Sequence, residues 1–362
     1  NGLWFKAGVA PLLSFGFGVG ALAEEVPMLQ IGFAFGEKTP FGQSNINISY
    51  IPIEQKFTEE INALGKKRYT AFTYDKTDSN DSAIYYFEGN IVINSASGLM
   101  KFTPALMLTK VGKKSTFGTY SIIPRYNNSV GIMPGIGFLG VFGGKITALF
   151  NFQYASGKDK VKNDEYTGWH TILDVKYNIN TKLKAGVYIH ALSGDSDMTD
   201  NKNTYWTEHI PGAFNALTSK FFFFETGGLT GNLIAGNNLV FSPADVIREN
   251  DNGAYIFGLY LDGKVSKLTY GISLGYAMLA AVDKDKNQSA SGKDDAGLGF
   301  EVDVTLQWNV KRAKVFLQGA FLAAGKGYEA KGTYTSAESG SVSTLTKVQS
   351  AWHISSGIQI MW

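Results

Sequence analysis

The chain has 362 residues, no cysteine, and a net charge of +2 from 33 basic and 31 acidic side chains. The lack of cysteine excludes disulfides, thiolate metal sites and a cysteine nucleophile. The balanced charge excludes the basic surface that a nucleic-acid partner requires, so no such partner is predicted. No apolar run reaches about 18 residues, so the sequence contains no transmembrane helix.

Alternation of apolar and polar residues recurs along most of the chain and predicts β-strands, because alternate side chains of a strand face opposite sides. In chain order, the predicted strands cover residues 3–14, 29–36, 46–53, 67–75, 82–94, 100–110, 115–126, 130–141, 144–155, 166–178, 181–193, 217–225, 231–241, 252–263, 266–280, 296–309, 312–325 and 350–362. They number about 18, or about 16 if the pair at 217–241 is a folded loop. A helix-like patch at 57–64 is placed in an extracellular loop. The pattern starts almost at Asn1, so we expect any leader peptide to have been removed or left out.

The clearest strand is the last one, at residues 352–362. Its even-numbered residues are mostly apolar, and its odd-numbered residues are mainly small or polar. The large apolar residues are Trp352, Ile354, Ile358, Ile360 and Trp362. The two tryptophans lie about 33 Å apart along an extended strand, or roughly 23 Å of membrane thickness for a strand tilted by about 45°. Aromatic girdles of this kind flank the lipid-facing band of outer-membrane barrels.

A soluble antiparallel sandwich also shows alternation, but three features favour a membrane barrel. The strands are longer than the roughly 5–6 residues typical of soluble proteins, and aromatic residues lie at the ends of the apolar faces. The connections also alternate in length: tight turns are predicted at 143–144, 178–181, 262–266 and 309–312, and long polar loops at 156–165, 194–216, 281–295 and 327–345.

These patterns predict one all-β domain over residues 1–362. Its expected architecture is a transmembrane, antiparallel, up-and-down β-barrel with short periplasmic turns and long extracellular loops. A long extracellular loop region is expected near 194–252, and the predicted location is a bacterial outer membrane.

The chain resembles the porin superfamily of Gram-negative outer membranes. The resemblance covers most of the length as architecture, and its motif is the C-terminal strand that ends in an aromatic residue. Trp362 takes the terminal place, where phenylalanine is commoner, and the isoleucines of 352–362 match the alternate apolar places. The resemblance implies that this strand, which Trp352 begins, is the signal that the barrel-assembly machinery reads. The segment 194–229 is also similar to the long loops of alginate-export-type porins.

A barrel of about 16–18 strands is too wide for its side chains to fill and leaves a water-filled channel. The inward parity supplies a polar lining of mixed charge: Lys101, Lys145, Asn151, Gln153, His170, Asp174, Lys176, Lys182, Lys184, Glu301, Asp303 and Gln307. Lysines cluster on the strands at 145–184, and two carboxylates lie on a distant strand. If these strands face one another, a transverse field is expected across the lumen. The lining predicts a porin for passive diffusion of ions and small polar solutes.

The segment 194–252 is the predicted source of a constriction, because its apolar content includes four consecutive phenylalanines at 221–224. Two interpretations of 221–224 stay open. The phenylalanines belong to a membrane-embedded strand, or they lie in a loop that folds into the barrel mouth, caps it or meets a partner.

Three alternative functions use other features of the same barrel. A substrate-specific channel for hydrophobic compounds or oligosaccharides is the first, although channels for hydrophobic substrates plug the lumen from the N-terminus, where this chain already starts a strand. A structural or adhesin barrel without transport is the second. An enzyme is the third: His170 and Asp174 share an inward face beside His190, but no serine lies in a nucleophile-elbow motif. We therefore predict that the chain is not an enzyme.

Three carboxylates in one loop, Asp195, Asp197 and Asp200, form a partial calcium site that lacks the internal glycine and bidentate glutamate of an EF-hand. The alternative is a solvated acidic loop, and no other cofactor is predicted. The expected partners are outer-membrane lipids, lipopolysaccharide, the barrel-assembly machinery and small polar solutes. A homotrimer and a monomer both fit the sequence.

Overall fold

The computed structural model describes residues 2–11, 25–54, 57–61, 67–72, 82–110, 129–159, 163–196, 201–204, 220, 221, 224, 253–281, 296–310, 312–326, 333–335, 342–344 and 350–360. The strands within these residues are β1 (Gly2–Pro11), β2 (Glu25–Thr39), β3 (Gly42–Glu54), β4 (Phe57–Ile61), β5 (Lys67–Phe72), β6 (Ser82–Ser95), β7 (Gly98–Lys110), β8 (Ser129–Phe142), β9 (Ile146–Asp159), β10 (Asp164–Asn180), β11 (Leu183–Leu192), β12 (Lys202–Asn203), β13 (Ala254–Val265), β14 (Leu268–Leu279), β15 (Gly297–Val310), β16 (Ala313–Ala324), β17 (Thr333–Thr335), β18 (Val342–Thr344) and β19 (Ala351–Ile360). The part of the chain that the structure describes contains no helix long and apolar enough to cross a membrane.

Fourteen strands follow one another in a single antiparallel sheet, in the order β1-β2-β3-β6-β7-β8-β9-β10-β11-β13-β14-β15-β16-β19. They are 10 to 17 residues long, which confirms the predicted long strands. The short strand β12 pairs in parallel with β10, and β4–β5 and β17–β18 form two separate small sheets. Each strand of the main sheet pairs with the next along this path, so the predicted antiparallel meander is confirmed. Within the described residues, β1 and β19 are its two outer strands.

The predicted count of about 18 strands, or about 16, is larger than the fourteen strands of this path. β3 pairs directly with β6, so the strand predicted at 67–75 does not enter the sheet, and β5 pairs instead with β4. β7 likewise pairs directly with β8, and β11 with β13. A strand has two edges, so direct pairing leaves no place for another strand between these partners. The strands predicted at 115–126 and 231–241 lie outside the described residues.

The helix predicted at 57–64 is wrong over its described part, where β4 covers Phe57–Ile61 and pairs with β5. Phenylalanine, threonine and isoleucine favour an extended backbone. The ladder with β5 also satisfies backbone groups that a single helical turn would leave without partners.

Each predicted tight connection contains a turn residue, but at 178–181, 262–266 and 309–312 the turn lies only at the end of the predicted range, because the strands run further than predicted. Gly143 and Gly144 both have positive φ angles, 54° and 66°, as a tight turn with the twist of the flanking strands requires. The long loop predicted at 156–165 is instead short, because β9 and β10 both extend into it. Lys158 and Glu165 lie opposite each other there and form an ion pair of 3.1 Å.

The main sheet has two faces of opposite character. The outer face exposes large apolar side chains, including Leu3, Phe5, Ile31, Ile48, Phe87, Ile136, Phe152, Val187, Phe257, Leu259, Leu274, Val304, Leu317, Trp352 and Ile354. The inner face carries polar and apolar side chains that are mostly buried. On β15, for example, Phe300 and Trp308 are 55% and 57% exposed, whereas Glu301 and Asp303 are 0% and 3% exposed. This is the reverse of the usual distribution in a water-soluble sheet.

Candidate functional site

Most of the predicted lining residues lie on the inner face. Six of them are buried there: Asn151, Gln153, His170, Asp174, Glu301 and Asp303. Three more are half-buried on the same face: Lys101, Lys176 and Gln307. Lys145 and Lys182 lie in exposed turns, and Lys184 is exposed beside one of these turns. The predicted lysine cluster at 145–184 therefore lies mainly at the turn end of the sheet.

Asp174 joins β10 to β13 and to the chain near residue 220. Its side chain is 4% exposed and accepts a hydrogen bond from the hydroxyl of Tyr260. Its Oδ2 atom lies 3.2 Å from Nζ of Lys176 and 3.8 Å from Nζ of Lys220. Lys220 also lies over the ring of Tyr260, 4.3 Å from the ring centroid. A buried carboxylate is costly unless it is paired, so these contacts stabilise Asp174 and anchor Lys220.

Phe221 is fully buried against the inner face. Its ring lies on Gly258 of β13 and Gly275 of β14, which are cross-strand partners. A Cβ atom at these glycines would lie 2.4 and 2.5 Å from the ring, so only glycine leaves room for it. The rings of Tyr188 and Phe224 lie 6.2 and 5.9 Å away. Gly258 and Gly275 thus form a glycine seat for one aromatic side chain.

Phe224 is held on the same inner face by a contact with β15. Its backbone N–H donates a hydrogen bond of 2.9 Å to Oε2 of Glu301 on β15. Lys220, Phe221 and Phe224, the inner segment, therefore contact the inner face from β10 to β15. The strand predicted at 217–225 is wrong over these residues, because β11 and β13 pair directly and the phenylalanines lie on the inner face. These three residues lie on the inner face, as the alternative of an inward-folding loop predicts; whether such a loop enters or caps a barrel mouth stays a prediction.

His170 and His190 contact each other on the inner face. The sequence predicts that they share a face on adjacent strands, but it does not predict the contact. Their Nε2 atoms lie 2.9 Å apart, and the ring planes meet at 72°. Each side chain is 2% exposed. The Tyr188 hydroxyl lies 3.5 Å from Nδ1 of His190. In the β10–β11 register His170 lies opposite Leu192, so the two histidines are diagonal neighbours.

A group of polar side chains on β2, β3 and β6 is not among the predicted lining residues. Nε2 of Gln30 donates to Oδ1 of Asn47 over 3.0 Å and to Oγ of Ser49 over 2.9 Å. On β6, Nδ2 of Asn90 donates to Oε1 of Glu88 over 2.7 Å. The alternation of polar residues with isoleucine at 45–49 carries the signal for these inward positions.

The inner face changes character along the strands. At the end with the long connections many of its buried side chains are apolar (Ile84, Met107, Met133, Leu192, Ile256, Leu279, Leu298 and Leu322), although Thr109, His190 and Asp195 are also buried there. At the end with the tight turns it carries the buried Phe316 together with half-buried polar or charged side chains: Lys101, Thr147, Lys176, Asn178, Asp262, Thr269, Gln307 and Asn309. The inner segment lies between these two zones, because its partners Gly258, Gly275 and Glu301 are near the middle of their strands.

Of the three predicted calcium ligands, only Asp195 falls within the described residues. It is buried and accepts the backbone N–H of Thr204 over 3.0 Å. Asp197 and Asp200 lie outside the described residues. Among the residues that the structure describes, no three histidine or carboxylate side chains form a cluster suited to a metal ion. The calcium site therefore stays a prediction.

The proposed assembly signal lies on β19, at one edge of the main sheet. Trp352, Ile354, Ile358 and Ile360 are all exposed on its outer face, as their shared parity predicts. Trp362 lies outside the described residues. The role of this strand in assembly also stays a prediction.

No protein-family model matches the chain, and no curated protein matches it in sequence. Among solved structures, the chain is similar to OccK11 of Pseudomonas aeruginosa, with 9% identity, a TM-score of 0.41, and coverage of 89% of this chain and 72% of that one. It is similar to the outer-membrane channel DcaP of Acinetobacter baumannii, with 10% identity, a TM-score of 0.32, and coverage of 99% and 94%. A third similar structure is the NanC porin, with 7% identity, a TM-score of 0.32, and coverage of 77% and 94%. At such low identities, a functional assignment has to rest on the residues of this chain.

Proposed function

We propose that the chain closes into a β-barrel of a bacterial outer membrane and forms a water-filled channel for ions and small polar solutes. The observation that carries this proposal is the inversion of the two faces of the sheet, with isoleucine and phenylalanine exposed and glutamate and aspartate buried. Hydrocarbon around the outer face would solvate its side chains, which water would not. Pairing of β1 with β19 would remove the two unpaired edges, which a bilayer does not tolerate.

The channel would be narrowed by the inner segment. A barrel of about fourteen strands is wider than the eight-stranded barrels that side chains alone can fill. Lys220, Phe221 and Phe224 lie across the inner face of five strands, so they would occupy part of this space. Solutes would then pass beside the inner segment, where Lys176, Asp174 and Glu301 set the local charge.

Liposome swelling tests the channel directly. Vesicles that contain the purified protein are expected to swell in isotonic solutions of small sugars, at rates that fall as the sugar becomes larger. Gel mobility of boiled and unboiled samples checks in parallel that the barrel has formed. A folded, heat-modifiable protein that gives no swelling with any solute would contradict the channel and favour a structural or adhesin barrel.

Ion selectivity is expected to depend on the charges beside the inner segment. Lys176→Gln removes a positive charge and should shift the reversal potential in a salt gradient towards cation selectivity, whereas Glu301→Gln should shift it towards anion selectivity. The amide oxygen of the substituted glutamine side chain can still accept the N–H of Phe224, so the inner segment should stay in place.

The matched control is Lys158→Gln, the same charge change at an exposed residue that pairs with Glu165. Its reversal potential should equal that of the wild type. Reversal potentials that stay unchanged in Lys176→Gln and Glu301→Gln would show that these residues do not line the conducting path.

A second candidate function, a channel for hydrophobic compounds or oligosaccharides, is favoured by the apolar zone of the inner face. Side chains such as Ile256, Leu279 and Leu298 are buried at the end with the long connections, where a polar solute gains little. An apolar solute would gain roughly 25 cal/mol for each Å² of surface that it buries there. Uptake of an apolar fluorescent probe into lipid vesicles, faster with protein than without, would support this candidate over the general porin.

Lipopolysaccharide and outer-membrane lipids would surround the outer face, and the barrel-assembly machinery would read β19. A homotrimer and a monomer both stay compatible with this arrangement. Calcium-dependent protease resistance would identify a structural site at Asp195, and resistance that is equal with calcium and with chelator would exclude it.

A further inference from the structure

The two buried histidines of the inner face lie within hydrogen-bonding distance of each other. His170 and His190 come from adjacent strands, and their Nε2 atoms approach to 2.9 Å with the ring planes at 72°. Neutral imidazole is the commonest metal ligand in proteins, and zinc, copper and nickel suit it. We propose that His170 and His190 bind one late transition-metal ion, for which copper(II) is the best probe.

The separation of the two nitrogens argues for the kind of ion. A metal bonded to imidazole nitrogen at roughly 2.0–2.1 Å holds two nitrogens about 2.8–3.0 Å apart if the angle at the metal is a right angle. A tetrahedral angle requires about 3.3–3.4 Å. The observed 2.9 Å is the length of a hydrogen bond between the two rings. A metal ion that replaced this bond with little change in the separation would need the right angle of square-planar and octahedral sites, which copper(II) and nickel(II) adopt, rather than the tetrahedral angle of zinc. Binding would replace the hydrogen bond between the rings, and both rings would have to turn so that their lone pairs point at one centre.

Tyr188 supplies an outer contact of the type that orients metal-binding histidines. Its hydroxyl lies 3.5 Å from Nδ1 of His190 and can accept the N–H of that nitrogen. This contact favours the tautomer whose Nε2 lone pair is available. Both rings stay neutral on binding, because a proton that either ring carries on Nε2 moves to Nδ1 of the same ring. The bound ion would therefore keep its positive charge, because both imidazoles are neutral ligands.

The protein would leave several coordination positions open. Within the described residues no third histidine or carboxylate completes a cluster with these two side chains, so the two imidazoles are the ligands that these residues would supply. Such a site is weaker and exchanges its ion more readily than a closed structural site. It would lie beside Tyr188, whose ring is 6.2 Å from that of Phe221, and would add positive charge next to the inner segment.

The test is a copper(II) titration of the detergent-purified, untagged protein, followed by electron paramagnetic resonance. The wild type should bind one ion for each chain, with coupling from two imidazole nitrogens. The chain has only four histidines, which makes matched controls available. Loss of an outer contact already costs about 10–100-fold in affinity. His170→Gln and His190→Gln should therefore each weaken binding at least about tenfold, whereas His209→Gln and His353→Gln should match the wild type.

Several outcomes would overturn the site. The wild type could show no saturable binding, fewer than two coupled imidazole nitrogens, or an affinity that His170→Gln and His190→Gln leave unchanged. Heat-modifiable gel mobility shows whether each variant is folded. If a variant does not fold, the number of coupled nitrogens in the wild type still decides, since one nitrogen or none contradicts a two-histidine site. The readout is independent of transport, so the site and the proposed channel can fail separately.

Discussion

Phe221→Ala is expected to raise the single-channel conductance of the protein in planar lipid bilayers. The ring of Phe221 is fully buried on the glycine seat of Gly258 and Gly275, and removal of a buried phenylalanine ring typically costs about 3–5 kcal/mol. This loss would weaken the packing of the inner segment against the sheet, because the strands of the sheet keep their own hydrogen bonds. A detached inner segment would leave a wider path, so larger conductance steps should appear, together with more frequent fluctuations between levels.

Two further variants make this expectation specific. Gly258→Ala should act in the same direction, because its Cβ would lie 2.4 Å from the ring of Phe221 and would displace it without changing the inner segment itself. Phe257→Ala is the matched control, since the neighbouring phenylalanine of β13 is exposed on the outer face. Its conductance should equal that of the wild type. Equal conductance in Phe221→Ala and the wild type would show that the inner segment does not narrow the channel.

Val304→Lys is expected to lower the free energy of unfolding in lipid vesicles by about 2–4 kcal/mol, the cost of a lysine on the lipid face of a barrel near the bilayer midplane. Val304 lies near the middle of β15 and is exposed on the outer face. In water the same substitution at an exposed site would change stability little. The size of the effect therefore reports which solvent surrounds the outer face.

Thr305→Lys is the control for this measurement, because Thr305 is the next residue of β15 and is half-buried on the inner face. Its lysine would face the proposed aqueous lumen, so we expect a smaller loss of stability. Urea unfolding of both variants in the same vesicles gives the comparison. A loss for Val304→Lys no larger than that for Thr305→Lys would contradict a lipid-facing outer face.

The period-two pattern predicted the faces of the strands that enter the main sheet, although it predicted more strands than the fourteen of that sheet. On β15, parity alone assigns Glu301 and Asp303 to one face and Val304 and Trp308 to the other, and the structure confirms both assignments. The reason is that side-chain direction alternates in any strand, whatever its neighbours are. Turn residues were equally informative where geometry limits the choice, as at Gly143 and Gly144.

Strand neighbours were harder to predict, because pairing depends on which edges are free in the folded sheet. The segment at 67–75 alternates in a way that suits a barrel strand, yet it pairs with β4 while β3 and β6 pair with each other. The segment at 217–225 contains a short apolar run, which is compatible with a strand and also with a packed loop. Its described residues, Lys220, Phe221 and Phe224, lie on the inner face, and β11 pairs directly with β13.

The sequence by itself determined the strand pattern, the polar and apolar parities and the likeness of the last strand to a porin terminus, because these are local properties of an alternating backbone. Only the tertiary structure decided which residues meet. The contact of His170 with His190 depends on the register of β10 against β11, and the burial of Phe221 depends on two glycines that lie more than 30 residues later in the chain. Such contacts depend on register and long-range packing, and a one-residue shift in register would turn the side chains of a strand to its other face.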